Sequence, residues 1–124
     1  MRRPLWTMVM LCLAFCCASL AHAGEKFKSE NEKIEALIAH VEGLKQAKFV
    51  RNGVEYDARI AGKFLRYIWH ENQAKVQTAD DFIRVVATAS GAGNPYLVRF
   101  PDGRESKSRD YLHELLKKME MPSQ

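Results

Sequence analysis

The chain has 124 residues, of which 47% are hydrophobic, and its 19 basic and 15 acidic side chains give a net charge of +4. This length suits one small domain with one hydrophobic core. Two of the basic residues lie in a leader that we expect to be removed, which leaves 17 basic against 15 acidic residues. A charge so close to balance is not typical of a nucleic-acid-binding protein, so no nucleic acid is expected as a partner.

The first 24 residues have the three parts of a secretory signal peptide. Arg2 and Arg3 precede an uncharged apolar run over residues 5–20, and Ala-His-Ala follows at 21–23. A membrane anchor is the rival interpretation, but it needs about 20 apolar residues and no cleavage site. We therefore expect cleavage between Ala23 and Gly24, a single mature domain over residues 24–124 without a stable membrane anchor, and a periplasmic or secreted location.

All three cysteines, Cys12, Cys16 and Cys17, lie inside the predicted leader. The mature domain then has no disulfide, no thiol nucleophile and no cysteine-ligated metal. It is expected to be held together by core packing, without a cofactor.

The first half of the mature chain predicts a helix, a hairpin and a second helix. Ser29 and Glu32 fit a capping box at the start of a helix over residues 30–46, and Asp57 is suited to cap the next helix. Between the two helices, Asn52-Gly53 is a strong signal for a two-residue hairpin turn. That turn places Phe49, Val54 and Tyr56 on one face, which we expect to be the core face.

The second half predicts the same order of elements. Thr78 opens a helix that the Ser-Gly-Ala-Gly stretch at 90–93 ends, residues 96–100 read as an interior strand, and Pro-Asp-Gly at 101–103 forms a tight turn. Ser108 is suited to cap a last helix, and Pro122 stands just beyond its end.

The two hairpins repeat nearly the same phrase. Phe49-Val50-Arg51 aligns with Leu97-Val98-Arg99, and Glu55 aligns with Glu105, if the second turn is two residues longer. A lone hairpin is marginal in water, so the simplest fold joins both in one antiparallel sheet covered by helices. The predicted class is a small α+β domain with four helices and two β-hairpins, a possible αββα pseudo-repeat, although turn chemistry alone can also make two hairpins look alike.

Several of these motifs together resemble a known family. Phe-Val-Arg-Asn-Gly at 49–53, Thr-Ala-Asp-Asp-Phe-Ile at 78–83 and Pro-Tyr-Leu-Val-Arg-Phe at 95–100 are similar in order and spacing to the YfeK-like family of small exported proteins of Gram-negative bacteria. The resemblance implies a secreted or periplasmic single domain of unknown function and brings no catalytic residues with it. Ala92-Gly93-Asn94 departs from the family pattern, so the resemblance implies no shared role for that loop.

Arg51 and Arg99 are the candidate ligand-binding residues. They occupy aligned places in the two hairpins, so neighbouring hairpins could bring both guanidinium groups to one sheet face to bind a carboxylate or phosphate. The alternative is that both are solvated arginines that keep strand edges soluble.

Tyr67, Trp69 and His70 are the candidate interface residues, because aromatic anchors near a helix end are frequent in protein interfaces. The alternative is that Ile68 and Trp69 continue the apolar stripe of the second helix while Tyr67 and His70 flank it.

The three remaining histidines, His40, His70 and His113, lie on three different predicted helices without metal-ligand spacing, so no metal site is expected. No nucleophile motif is present, and catalytic residues are unknown.

The favoured function is an exported binding or interaction module that recognises an envelope protein or an anionic envelope component. The alternatives are a small cofactor-free hydrolase with His70 or His113 as general base, and a structural homodimer.

Overall fold

The computed structural model describes residues 27–122. The predicted signal peptide and its cleavage site at Ala23 and Gly24 lie outside the described residues. The described helices are α1 (Glu30–Gly43), α2 (Ala58–Glu71), α3 (Ala79–Val86) and α4 (Ser108–Glu120), with a short 3₁₀ turn at Gln73–Lys75 after α2. The described strands are β1 (Lys48–Arg51), β2 (Val54–Tyr56), β3 (Leu97–Arg99) and β4 (Glu105–Lys107).

The strands of residues 27–122 form one antiparallel sheet in the order β2-β1-β3-β4. Each hairpin supplies two neighbouring strands, and the hairpins join through β1 and β3, where Phe49 lies opposite Val98. This arrangement confirms the predicted α+β class with two hairpins in one sheet.

The first hairpin forms with the predicted register. Asn52 and Gly53 both have positive φ, 52° and 79°, as a two-residue turn of this kind requires. The turn pairs Arg51 with Val54 and Phe49 with Tyr56. The predicted core face is correct for Phe49, but Tyr56 is only half-buried and Val54 is 51% exposed. Both lie on β2, an edge strand with a neighbour on one side only, where the helices cover less of the sheet.

The helix starts follow the predicted caps with two exceptions. Ser29, Asp57 and Thr78 each accept a hydrogen bond from a backbone N–H in the first turn. The capping box predicted for Ser29 and Glu32 is only half formed, because the Glu32 carboxylate accepts from the N–H of Lys28, and a full capping box forms instead between Thr78 and Asp81. Ser108 is not an N-cap, because it is already the first residue of α4 and is buried, with its N–H donating to the carbonyl of Tyr96 at 2.8 Å.

Two helices end earlier than their apolar patterns predict. Helix α1 stops at Gly43 rather than at residue 46, and the N–H of Leu44 closes the end by donating to the carbonyl of Val41. Helix α3 stops at Val86, and the hydroxyl of Thr88 donates to the carbonyl of Ile83. In both cases a local hydrogen bond to a terminal carbonyl replaces the next helical turn.

The core lies between the helices and one face of the sheet, and both halves of the chain build it. Its largest fully buried side chains come from α1, α3 and β3: Ile34, Leu37, Ile38, Phe82, Ile83, Val86 and Val98. Trp69 of α2 packs its ring edge-on against Phe82, with the ring centres 5.9 Å apart. The sheet is therefore covered on one face, and the opposite face carries the charged residues Lys48, Glu55, Arg99, Glu105 and Lys107.

Candidate functional site

A cavity of about 130 Å³ opens between the covered face of the sheet and helices α2 and α4. Its walls are mainly apolar and aromatic, and include Phe49, Tyr56, Ile60, Phe64, Tyr96 and Tyr111. Phe49 is buried, whereas Ile60 is 42% exposed, so the cavity opens towards solvent beside the start of α2. Small-molecule sites in proteins have this character: an apolar pocket with a few polar groups.

Arg51 is the one charged residue among the described residues that line the cavity. It lies at the end of β1, with its guanidinium carbon 4.5 Å from the centre of the Phe64 ring. Its Nε is buried and has no hydrogen-bond partner within residues 27–122. A buried hydrogen-bond donor without a partner costs about 1–3 kcal/mol of folding free energy, and the Nε–H group of Arg51 carries this cost.

The other half-buried arginines in the described part of the chain are neutralised. Arg66 pairs with Glu35 at 2.6 Å and with Glu42 at 3.6 Å. Arg99 pairs with Glu105 and with Glu55. Arg51 has no carboxylate within salt-bridge distance among residues 27–122, so its charge is available to an anion from outside.

The Phe64 ring that Arg51 contacts is itself packed against Tyr96. Tyr96 meets Phe64 edge-on, with the ring centres 6.0 Å apart, on the side of the sheet where Arg51 lies.

Across the cavity, the Tyr111 hydroxyl and His40 Nε2 lie 2.7 Å apart. Burial raises the pKa of Tyr111 and lowers the pKa of His40, so both are uncharged near neutral pH. Arg51 is thus a single positive charge in an otherwise uncharged cavity.

The expectation that Arg51 and Arg99 share one sheet face is wrong. Arg99 pairs with Lys48 across β1 and β3, and Arg51 lies three residues after Lys48, so the two arginines point to opposite faces. Arg99 on β3 binds Glu105 on β4 and reaches across β1 to Glu55 on β2, on the uncovered face of the sheet. The two guanidinium groups do not converge, and ligand binding stays a prediction for each arginine separately.

The cause is a shift of one residue in the alignment of the two hairpins. Arg51 closes the first turn by pairing with Val54, and Phe100 closes the second turn by donating its N–H to the carbonyl of Arg104, so Phe100, not Arg99, is the structural counterpart of Arg51. Phe100 packs against Tyr111, with ring centres 5.5 Å apart, much as Arg51 packs against Phe64. Because side chains alternate between faces, a slip of one residue exchanges the two faces.

The three candidate interface residues do not form one surface. Trp69 belongs to the core through its contact with Phe82, whereas Tyr67 is 60% exposed and His70 is exposed. Tyr67 and His70 are three residues apart on α2 and lie on the same side of it. The predicted interface is reduced to these two residues, and no partner for them is known from the described structure.

The histidines give no catalytic arrangement in the described part of the chain. His113 Nε2 lies 3.0 Å from Asp80 Oδ1, so a histidine does meet a carboxylate from another helix. The Asp80 side chain is 67% exposed, however, and neither residue lines the cavity. Within residues 27–122 no group of three or more His, Cys, Asp or Glu side chains converges as a metal site.

The glycine-rich loop at 90–95 forms hydrogen bonds within itself and one to the first hairpin. The N–H groups of Ser90, Gly93 and Asn94 all donate to acceptors inside the loop, so they are not directed at a ligand. The Asn94 side chain donates to Asn52 Oδ1 at 3.0 Å, which fixes the loop against the β1–β2 turn.

Sequence reasoning identified Arg51 but missed the rings that surround it. In the sequence, Phe64 lies on the predicted second helix, Tyr96 on the predicted interior strand and Tyr111 on the predicted last helix. These residues come from separate elements, and no local spacing brings them together. The one available signal was the alternation along β1, where an arginine occupies the core-facing position after Phe49.

No helix among residues 27–122 combines the length and the apolar content needed to cross a membrane. No curated protein and no solved structure matches the chain. A family model does match, over residues 28–120, which covers the whole described fold from α1 to α4. The chain therefore belongs to DUF5329, a family of unknown function.

Proposed function

We propose that this protein is an exported binding module for an anionic component of the bacterial envelope, and that Arg51 in the cavity is its anion-binding group. The observation that carries the proposal is the unneutralised Arg51 beside an apolar cavity, with a buried Nε that lacks a partner within residues 27–122. Such a cation attracts an oxyanion, and the cavity provides room for an apolar group attached to it.

Two features of the sequence support the cellular setting. The leader has the charge, length and cleavage pattern of a signal peptide. The motifs of the mature chain resemble the YfeK-like exported proteins of Gram-negative bacteria, which favours the periplasm as the site of action.

The size of the cavity suggests suitable test molecules. A protein cavity of about 150 Å³ lined by aliphatic and aromatic side chains holds benzene, and this cavity is about 130 Å³. A phenyl group with an anionic substituent is therefore a suitable probe.

The test is an NMR titration of the purified protein with phenylacetate and, separately, with phenyl phosphate. We expect at least one of them to shift the amide signals of Phe49, Phe64 and Tyr96. The Arg51→Gln variant should weaken that binding at least tenfold, because it removes the charge and keeps much of the side-chain volume.

Arg99→Gln is the matched control, because it removes the same residue type from the same sheet on the opposite face. It should leave the affinity within twofold of the unmodified protein. Equal losses in the two variants, or an absence of shifts around the cavity with either probe, would overturn the proposal.

A further inference from the structure

We infer that the ligand of the cavity is a hydrophobic monocarboxylate, with one carboxylate attached to an apolar group of about the size of benzene. This inference rests on the proposed function and makes it more specific. The carboxylate could belong to a free acid or to the C-terminal apolar residue of a polypeptide, since both present the same chemistry.

The first argument is the number of charges. Arg51 is the one ionised residue among the described residues that line the cavity. One guanidinium neutralises one negative charge, and a second charge on the ligand would enter an apolar cavity unpaired. Unpaired charges are costly in such surroundings, so a monoanion is favoured over a dianionic phosphate.

The second argument is the geometry of the guanidinium. Its carbon lies over the Phe64 ring, 4.5 Å from the ring centre, so the ring shields part of the group. Among the described residues, Nε of Arg51 is the one buried side-chain nitrogen or oxygen atom that lacks a hydrogen-bond partner. The two terminal amino groups of Arg51 are not in that condition, so they are the donors available to a ligand. Two such donors lie in one plane and match the two oxygens of a carboxylate.

The third argument is the cavity wall. Its exposed surface is mostly apolar, with Phe49, Phe64 and Leu65 among the lining residues. Four lining residues carry a hydroxyl group, Tyr56, Tyr96, Ser108 and Tyr111, and that of Tyr111 is already engaged with His40. A ligand body rich in hydroxyl or amide groups would lose hydration here and recover few hydrogen bonds. The wall therefore favours a ring or a branched hydrocarbon over a sugar.

The experiment compares four ligands by calorimetry at pH 7.5, using protein purified after expression of the full chain. Phenylacetate and the tripeptide Gly-Gly-Phe carry the monocarboxylate in its two possible settings. Phenyl phosphate is mostly a dianion at this pH, and phenylacetamide is neutral. We expect phenylacetate or the tripeptide to bind at least tenfold more tightly than both phenyl phosphate and phenylacetamide.

Two variants connect the preference to the site. Arg51→Gln should abolish the advantage of the carboxylate over the amide, and Arg51→Lys should retain part of it, because lysine keeps the charge and loses the planar pair of donors. If Arg51→Gln does not fold, Arg51→Lys still tests the inference, since it should lower the affinity for the carboxylate severalfold.

The outcomes separate this inference from the proposed function. Tighter, Arg51-dependent binding of phenyl phosphate would overturn the monocarboxylate and leave the anion-binding module intact. Equal binding of phenylacetamide and phenylacetate, or no binding of any ligand, would overturn both. If one carboxylate binds and the other does not, the inference holds, and the difference identifies the free acid or the polypeptide C-terminus as the source.

Discussion

At the scale of single residues, Arg51 and Arg99 show how identical side chains acquire different roles. Both follow an apolar dipeptide in a strand, yet Arg99 is held by two glutamates while Arg51 stacks on Phe64 without an acidic partner in the described structure. The sequence identified both as possible anion-binding residues. The face of the sheet decided which of them lies in the cavity.

The burial of His40 predicts that the stability of the protein depends on pH. Burial lowers the pKa of His40 in the folded protein, so the unfolded chain binds more protons than the folded one as the pH falls through the ordinary histidine pKa of about 6.5. The His40 contribution is fully present above that pH and is lost below it. The free energy of unfolding should therefore decrease from pH 7.5 to pH 5.5, and His40→Gln should reduce that decrease.

Urea unfolding followed by the fluorescence of Trp69 measures this effect at both pH values. His70→Gln is the control, because His70 is exposed on α2 and its replacement should leave the pH dependence unchanged. Identical pH dependence in the unmodified protein and in His40→Gln would show that His40 contributes nothing.

At the scale of elements, local chemistry sets where helices and turns begin, and packing sets how closely they approach. Local side chains account for the caps at Ser29, Asp57 and Thr78 and for the Asn52-Gly53 turn.

The role of Gly62 depends on a residue far away in the chain. A Cβ at this position would lie 2.3 Å from Cγ of Glu42, so glycine allows α2 to lie close against α1.

This close approach gives a prediction that depends on the neighbouring side chain. In the unmodified chain, Gly62→Ala should change the free energy of unfolding by less than about 1 kcal/mol, because displacement of the half-exposed Glu42 side chain offsets the gain of about 1 kcal/mol in helix propensity. In a Glu42→Ala background the same change should be stabilising by up to about 1 kcal/mol.

Urea unfolding of the two single variants and the double variant completes the cycle. Arg66 is the residue to consider in its interpretation, since Glu42 also lies 3.6 Å from it and Glu42→Ala removes that contact. An equal effect of Gly62→Ala in both backgrounds would mean that Glu42 does not limit the approach of the helices.

At the scale of the whole molecule, the two halves are joined by the pairing of β1 with β3 and by a common core. Phe49 and Val98 are neighbours across that junction, and the buried side chains of α1 and α3 pack together behind it. Neither hairpin has more than two strands of its own, and an isolated hairpin is marginal in water. The cavity lies at this junction, so it exists only when both halves are in place.

The described fold also bears on the predicted cleavage. The first helix is capped by Ser29, which lies after the expected cleavage point, so removal of the leader should leave the domain intact. We expect N-terminal sequencing of the protein purified from the periplasm or medium of expressing cells to begin at Gly24. An uncleaved chain that stays in the membrane fraction would contradict both the cleavage and the proposed periplasmic role.

The sequence by itself determined the element order, three of the helix caps, the Asn52-Gly53 turn and the presence of two hairpins. These features depend on residues within a few positions of one another, where hydrogen bonds to the backbone dominate. Even the repeated phrase correctly predicted that the two hairpins share one sheet.

Only the tertiary structure decided which arginine faces the cavity, which aromatic rings enclose it and why Gly62 is a glycine. Each of these depends on contacts between residues far apart in the chain: Arg51 with Phe64, Phe64 with Tyr96, and Glu42 with Gly62. Phe100 precedes the second turn as Arg51 precedes the first, which is one residue away from the alignment that the repeated phrase predicts. In a strand, one residue is the difference between the core face and the solvent face. Spacing along the chain does not contain that information, because the pairing of β1 with β3 sets it.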